Sequence, residues 1–129
     1  MKRFEKIKII FLTTLLLIGC NFSKQQPRCS DETVQATVIK IAKEKMLEKL
    51  QEVKDTVPSP DFVKDFEAKW LDGMEHLKLD AIRTRSVDKE RCQCECAADL
   101  LIDPEQPTPI TYVVEKADNG ELYVTVYGL

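Results

Sequence analysis

Apolar and polar positions along this chain change rhythm several times, and each change predicts a different element. Ile9 to Cys20 is an uncharged, mostly apolar run with Lys2, Arg3, Lys6 and Lys8 in front of it. A basic start holds the cytoplasmic side of a membrane, and an apolar run of roughly 7–15 residues inserts without spanning stably. Residues 1–19 are therefore expected to be a cleaved secretion signal. Residues 20–28 follow with no period and are mostly polar, as a short flexible tether would be. From Cys29 the rhythm turns helical: Val34, Val38, Ile41, Ala42, Met46, Leu50 and Val53 recur at spacings of three and four. Ser30 is the expected N-cap, with Asp31 and Glu32 in the first turn, and the helix should end before Pro58-Ser59-Pro60. Ser59-Pro60 opens a second helix that Gly73 should end. Phe62, Phe66 and Trp70 line up four apart on it, a stripe expected in the core because each ring buries roughly 150–250 Å².

After Leu77 the period shortens to two. Leu77, Leu79 and Ala81 alternate with Lys78, Asp80 and Ile82 before a charged turn at Val87-Asp88-Lys89-Glu90. Arg91 to Leu101 forms a second strand, with Cys92, Cys94, Cys96, Ala98 and Leu100 on one face. Asp103 to Pro109 is a proline-punctuated loop, and Ile110 to Lys116 and Leu122 to Leu129 are strands joined across Asp118-Asn119-Gly120. A two-residue turn would set Val113 opposite Val126; a three-residue turn with a left-handed glycine sets Tyr112 there, and the second is preferred. It places Ile110, Tyr112, Val114, Leu122, Val124 and Val126 on one face. The expected fold is α+β, a single domain over residues 29–129: two N-terminal helices followed by a four-stranded antiparallel meander packed on the long helix. This arrangement resembles the cystatin-like group of folds, a resemblance that implies a curved sheet around a helix and no function.

Leu17-Ile18-Gly19-Cys20 changes the picture of where the chain works. It resembles the lipobox of bacterial lipoproteins, which implies cleavage before Cys20 and acylation of that cysteine. Several acyl chains, at about 0.8 kcal/mol per buried methylene, anchor stably. Asn21, where an aspartate would imply inner-membrane retention, leans toward the periplasmic face of the outer membrane. The mature part carries 15 basic and 21 acidic side chains, a net charge near −6. That argues against phosphate-backbone binding, which relies on clustered Lys and Arg, so no nucleic acid is expected.

With Cys20 acylated, Cys29, Cys92, Cys94 and Cys96 remain, an even number in an oxidising compartment, and disulfides are the default. Cys92 and Cys96 would lie about 13 Å apart along one strand, beyond disulfide reach. Two pairings remain: Cys29–Cys96 with Cys92–Cys94, which is preferred, or Cys29–Cys92 with Cys94–Cys96. The short bond of either set would be strained and labile. A soft metal on Cys92, Cys94 and Cys96, or thiol exchange there, is the competing chemistry.

Catalysis has little to draw on. His76 is the only histidine and lies in a connector, the carboxylates fall on helix surfaces and turns, and there is no glycine-rich phosphate loop. No catalytic residue, cofactor or resident metal is expected, and a small-molecule ligand is not favoured. The expectation is a non-enzymatic, lipid-anchored protein-binding module of inhibitor, immunity, exclusion or accessory type; a purely structural envelope component is the third reading. The two C-terminal strands resemble those of small bacterial envelope lipoproteins, which implies no activity. The expected binding surface is Tyr123 and Tyr127 with Arg83 and Arg85, on the sheet face away from the helix. The last strand is also expected at a sheet edge, where it could pair with another chain.

Overall fold

The computed structural model describes residues 26–103 and 105–129; the expected signal, its cleavage site and the acylated Cys20 lie outside the described residues. The described residues form an α+β fold with two helices, α1 (Glu32–Thr56) and α2 (Pro60–Glu75). Four strands follow, β1 (Lys78–Asp88), β2 (Gln93–Asp103), β3 (Gln106–Lys116) and β4 (Leu122–Tyr127), in one antiparallel sheet of order β1-β2-β3-β4. The first described residues lie against the sheet: Pro27 is buried and the Gln26 amide donates to the Gln93 carbonyl at 3.1 Å. Residues 26–28, assigned from sequence to the tether, are thus placed on the domain.

Helix α1 starts one residue later than expected. Asp31, not Ser30, stands at the N-cap, and its carboxylate accepts the Arg28 N–H (3.1 Å), while the Ser30 carbonyl accepts from the Gln35 amide (2.8 Å). Val34, Val38, Ala42, Met46 and Leu50, each four residues on, are buried along one line of the helix. The first four belong to a single cluster with Cys94, Cys96, Ala98 and Leu100 of β2 and Ile110, Tyr112 and Val114 of β3. No polar or charged residue is buried among the described residues, so this core is held by apolar packing.

Helix α2 corrects two expectations. No α2 residue is buried: Phe62 is 54% exposed, and Phe66 and Trp70 are half-buried. The three rings form a stacked ladder, with centroids 6.2 and 5.1 Å apart, and the Trp70 indole donates to the Met46 carbonyl at 2.8 Å. The stripe is therefore a flank on α1 and not the core; α1 already contributes the buried helical residues that meet the sheet's inner side chains. Gly73 does not end the helix either, which runs on to Glu75. It sits where α2 passes the sheet, and a Cβ there would come 3.1 Å from Ile102 Cγ2.

The sheet departs from its expected alternation where β1 is bulged. Asp80 pairs with Asp99 but Arg83 with Ala97, an extra β1 residue, and Ala81 takes φ 51°. Side-chain order is thereby shifted: Ala81 is exposed and Ile82 packs on the core. A second bulge lies between Thr84 and Ser86. The segment expected as a loop from Asp103 to Pro109 is mostly strand, since Gln106, Thr108 and Pro109 pair with Asp103, Leu100 and Asp99. Pro107 and Pro109 fall beyond Thr111, the last β3 residue paired with β4, where a missing N–H removes no ladder bond on that side. At the last hairpin Tyr112 pairs with Val126 and Gly120 has φ 86°, the three-residue-turn register.

Leu100 is fully buried between helix and sheet, whereas Leu47 is 48% exposed on α1. Leu100→Ala is expected to cost about 2–5 kcal/mol and Leu47→Ala within about 0.5 kcal/mol in urea denaturation. Equal costs would show that the core does not centre on β2.

Candidate functional site

Three sulfurs meet where the start of α1 crosses β2. Cys29, two residues before the α1 N-cap, is bonded to Cys96 (Cα–Cα 5.6 Å), and both are buried. Cys94 is a buried free thiol whose Sγ lies 3.8 Å from each of the other two. Cys94 and Cys96 reach the same side because they are two apart on a strand. Beneath them Tyr112, fully buried on β3, donates its hydroxyl to the Cys29 carbonyl at 2.9 Å and so fixes the Cys29 backbone.

The expected short bond Cys92–Cys94 is not formed. Cys94 keeps a free thiol, so no bond joins it to Cys92. Cys92 lies in the turn before β2, which begins at Gln93 and not at Arg91, and its φ of 50° takes it out of the strand alternation. The period-two run of cysteines thus ends one residue short. Cys92 is not part of the sulfur cluster, which is formed by Cys29, Cys94 and Cys96.

Burial dominates the electrostatics here. It pushes the Cys94 thiol above its ordinary value, with the nearby Asp31 carboxylate adding to the shift, and pushes Tyr112 up to about 12, with Cys94 adding to that. Both groups are held neutral. Cys94 is consequently a poor nucleophile at neutral pH.

The expected binding residues sit elsewhere, on the sheet's outer face. One cross-strand row there runs Arg83, Ala97, Thr111, Tyr127; another runs Asp88, Gln93, Glu115, Tyr123. Tyr123 and Tyr127 are 55% and 56% exposed, and the Tyr123 hydroxyl donates to Glu121 at 3.2 Å. Arg83 shares this face but lies on the opposite edge strand, three strand spacings or about 14 Å away. Arg85 falls in the second bulge. Tyr123, Tyr127 and Arg83 thus share the outer face, the tyrosines on one edge strand and Arg83 on the other.

The two edges differ. Strand β1 carries Lys78, Asp80, Arg83, Arg85 and Asp88 and two bulges, the usual protections of an exposed edge. Strand β4, Leu-Tyr-Val-Thr-Val-Tyr, carries no charge and no proline, and its pairing with β3 is continuous. This contrast was present in the sequence but needed the strand order to acquire meaning.

His76 is an exposed helix cap, with Nδ1 3.0 Å from the Asp72 carbonyl. A groove of about 230 Å³, walled by Met46, Trp70, Leu100, Ile102 and Leu129, opens between the helices and the end of β4, and is mainly apolar. No helix among the described residues is long and apolar enough to cross a membrane. The chain matches no protein-family model, no curated protein and no solved structure.

For Tyr112 and Cys94 the folded-state pKa lies above the unfolded one, so the anion favours unfolding. Their contribution is whole below the unfolded values, 9.0 for Cys94 and 10.0 for Tyr112, and is lost as pH rises toward the folded ones, about 12 for Tyr112. The urea midpoint is expected to fall steadily from about pH 9 to about pH 12. Tyr112→Phe should begin lower, by about 0.5–1.5 kcal/mol for the lost hydrogen bond, yet decline less above pH 10. Parallel declines would remove Tyr112 as the cause.

Proposed function

We propose that the chain is a lipid-anchored, non-enzymatic protein-binding module of the cell envelope, which takes an extended segment of a partner protein against β4. In this reading residues 1–19 are removed, Cys20 is acylated, and the meander packs on the long helix to form the mature domain. The periplasmic face of the outer membrane is the proposed location.

The observation that carries the reading is the unguarded β4 edge. Strand addition draws affinity from main-chain hydrogen bonds and specificity from alternate side chains. A six-residue edge without charge, proline or bulge offers those bonds, and nothing in its side chains opposes an incoming strand. Tyr123 and Tyr127, flanking Thr125 on the outer face, would stand beside the partner's outward residues as amphipathic anchors. An added strand at β4 does not reach Arg83 or Arg85, which drop out of the interface.

Two measurements test the two halves. A photo-cross-linking residue at Thr125 in cells should give a discrete adduct of unequal partners, reduced at least tenfold by Tyr123→Ala with Tyr127→Ala and within twofold by Arg83→Ala with Arg85→Ala. The same residue at Ser86 on β1 should give none. An adduct of two copies of this chain, or equal adducts from both edges, overturns the partner reading. The mass of the N-terminal peptide of the exported protein should show acyl chains on Cys20; recovery of Cys20 joined to Cys92 overturns the anchor.

A further inference from the structure

We propose that, once the Cys29–Cys96 bond is reduced, Cys29, Cys94 and Cys96 together bind one thiophilic d10 cation, Zn(II) or Cu(I). This does not rest on the protein-binding reading, since it concerns the inner face of the sheet.

The geometry separates metal binding from the other chemistry open to a thiol beside a disulfide. Exchange requires the attacking sulfur to lie behind one sulfur, in line with the bond it breaks. Cys94 Sγ is 3.8 Å from both Cys29 Sγ and Cys96 Sγ, so it stands abreast of the bond and in line with neither end. A tetrahedral ion with metal–sulfur bonds of about 2.3 Å holds its sulfurs about 3.8 Å apart. Two of the three separations such a site needs are already present. The third arises when Cys29 and Cys96 part by rotation about their side-chain bonds.

The surroundings favour a cation over free thiolates. Three buried sulfurs gather within reach of one ion, and a bound cation would offset the charge of thiolates held away from water. The ligands are held by two different elements, the start of α1 and the middle of β2. The Tyr112 hydroxyl fixes the Cys29 backbone as an outer support. Three thiolates complete a three-coordinate Cu(I) and leave Zn(II) one further position.

The chemistry balances with a named reductant. A dithiol gives two electrons and two protons to the Cys29–Cys96 bond, leaving two thiols and its own cyclic disulfide; a phosphine does the same with water, becoming the phosphine oxide. The incoming ion then displaces the three thiol protons to solvent.

The test uses the full chain in detergent, reduced with a phosphine and kept anaerobic. Zn(II), and separately Cu(I), is titrated in competition with a chromogenic chelator. One equivalent of at least one of the two ions should bind. Cys94→Ser should weaken that binding at least tenfold, and Cys92→Ser should change it less than threefold. The oxidised chain should bind at least a hundredfold more weakly. Circular dichroism of each variant shows whether it has folded. As a readout without substitution, the ion should slow alkylation of Cys94 in the reduced wild type at least tenfold, located by peptide mass. Failure of both ions to bind, equal binding by Cys94→Ser, loss of binding in Cys92→Ser, or unslowed alkylation of Cys94 each overturns the site.

Discussion

The arrangement of this protein depends on one covalent link placed at one crossing. The Cys29–Cys96 bond joins residues 67 apart, tying the entry to α1 to the middle of β2. A loop of that length is worth about 4 kcal/mol when closed without strain. That matters in a domain with no buried polar or charged residue among those described. Tyr112 adds a directional bond from β3 to the same backbone at Cys29. Helix, second strand and third strand are thereby registered at one point, and the line of Val34, Val38, Ala42 and Met46 meets β2 and β3 from there.

That registration explains the unequal treatment of the helices. With α1 filling the inner face, α2 can bury only part of its aromatic ladder against α1 and the Ile102 end of β2. Four-residue spacing of Phe62, Phe66 and Trp70 specifies that the rings share a face of the helix. It does not specify whether that face meets a sheet or only another helix, because the area available is set by elements distant in sequence.

Much of the fold was legible because its signals are local. The helical stripe, the proline start of α2, and the glycine turn that sets Tyr112 against Val126 each depend on a few neighbouring residues. The misses have a shared cause as well. Left-handed backbone at Ala81 and Cys92, both non-glycine residues, shifts the alternation on either side, and neither residue type announces it. The Cys92 conformation takes that residue off the face where Cys94 and Cys96 lie. Distance in sequence hid the rest: Arg83 and Tyr127 share a face, yet only the strand order shows that two strands lie between them.

The sulfur cluster and the open edge are close in topology and separate in chemistry. Cys96 pairs with Tyr112 and Tyr112 with Val126, so one inner row leads from the disulfide to β4. Tyr127 is the next residue along, but it faces the other side of the sheet because successive side chains alternate. A change in the state of the sulfurs is therefore felt first in the packed inner row, by groups that a partner strand on the outer tyrosines would not touch. Main-chain bonds at the β4 edge are common to both faces, and they are the one physical route by which the two could communicate. Whatever passes along that route has to move the Tyr112–Val126 pair, whose packing against α1 opposes displacement.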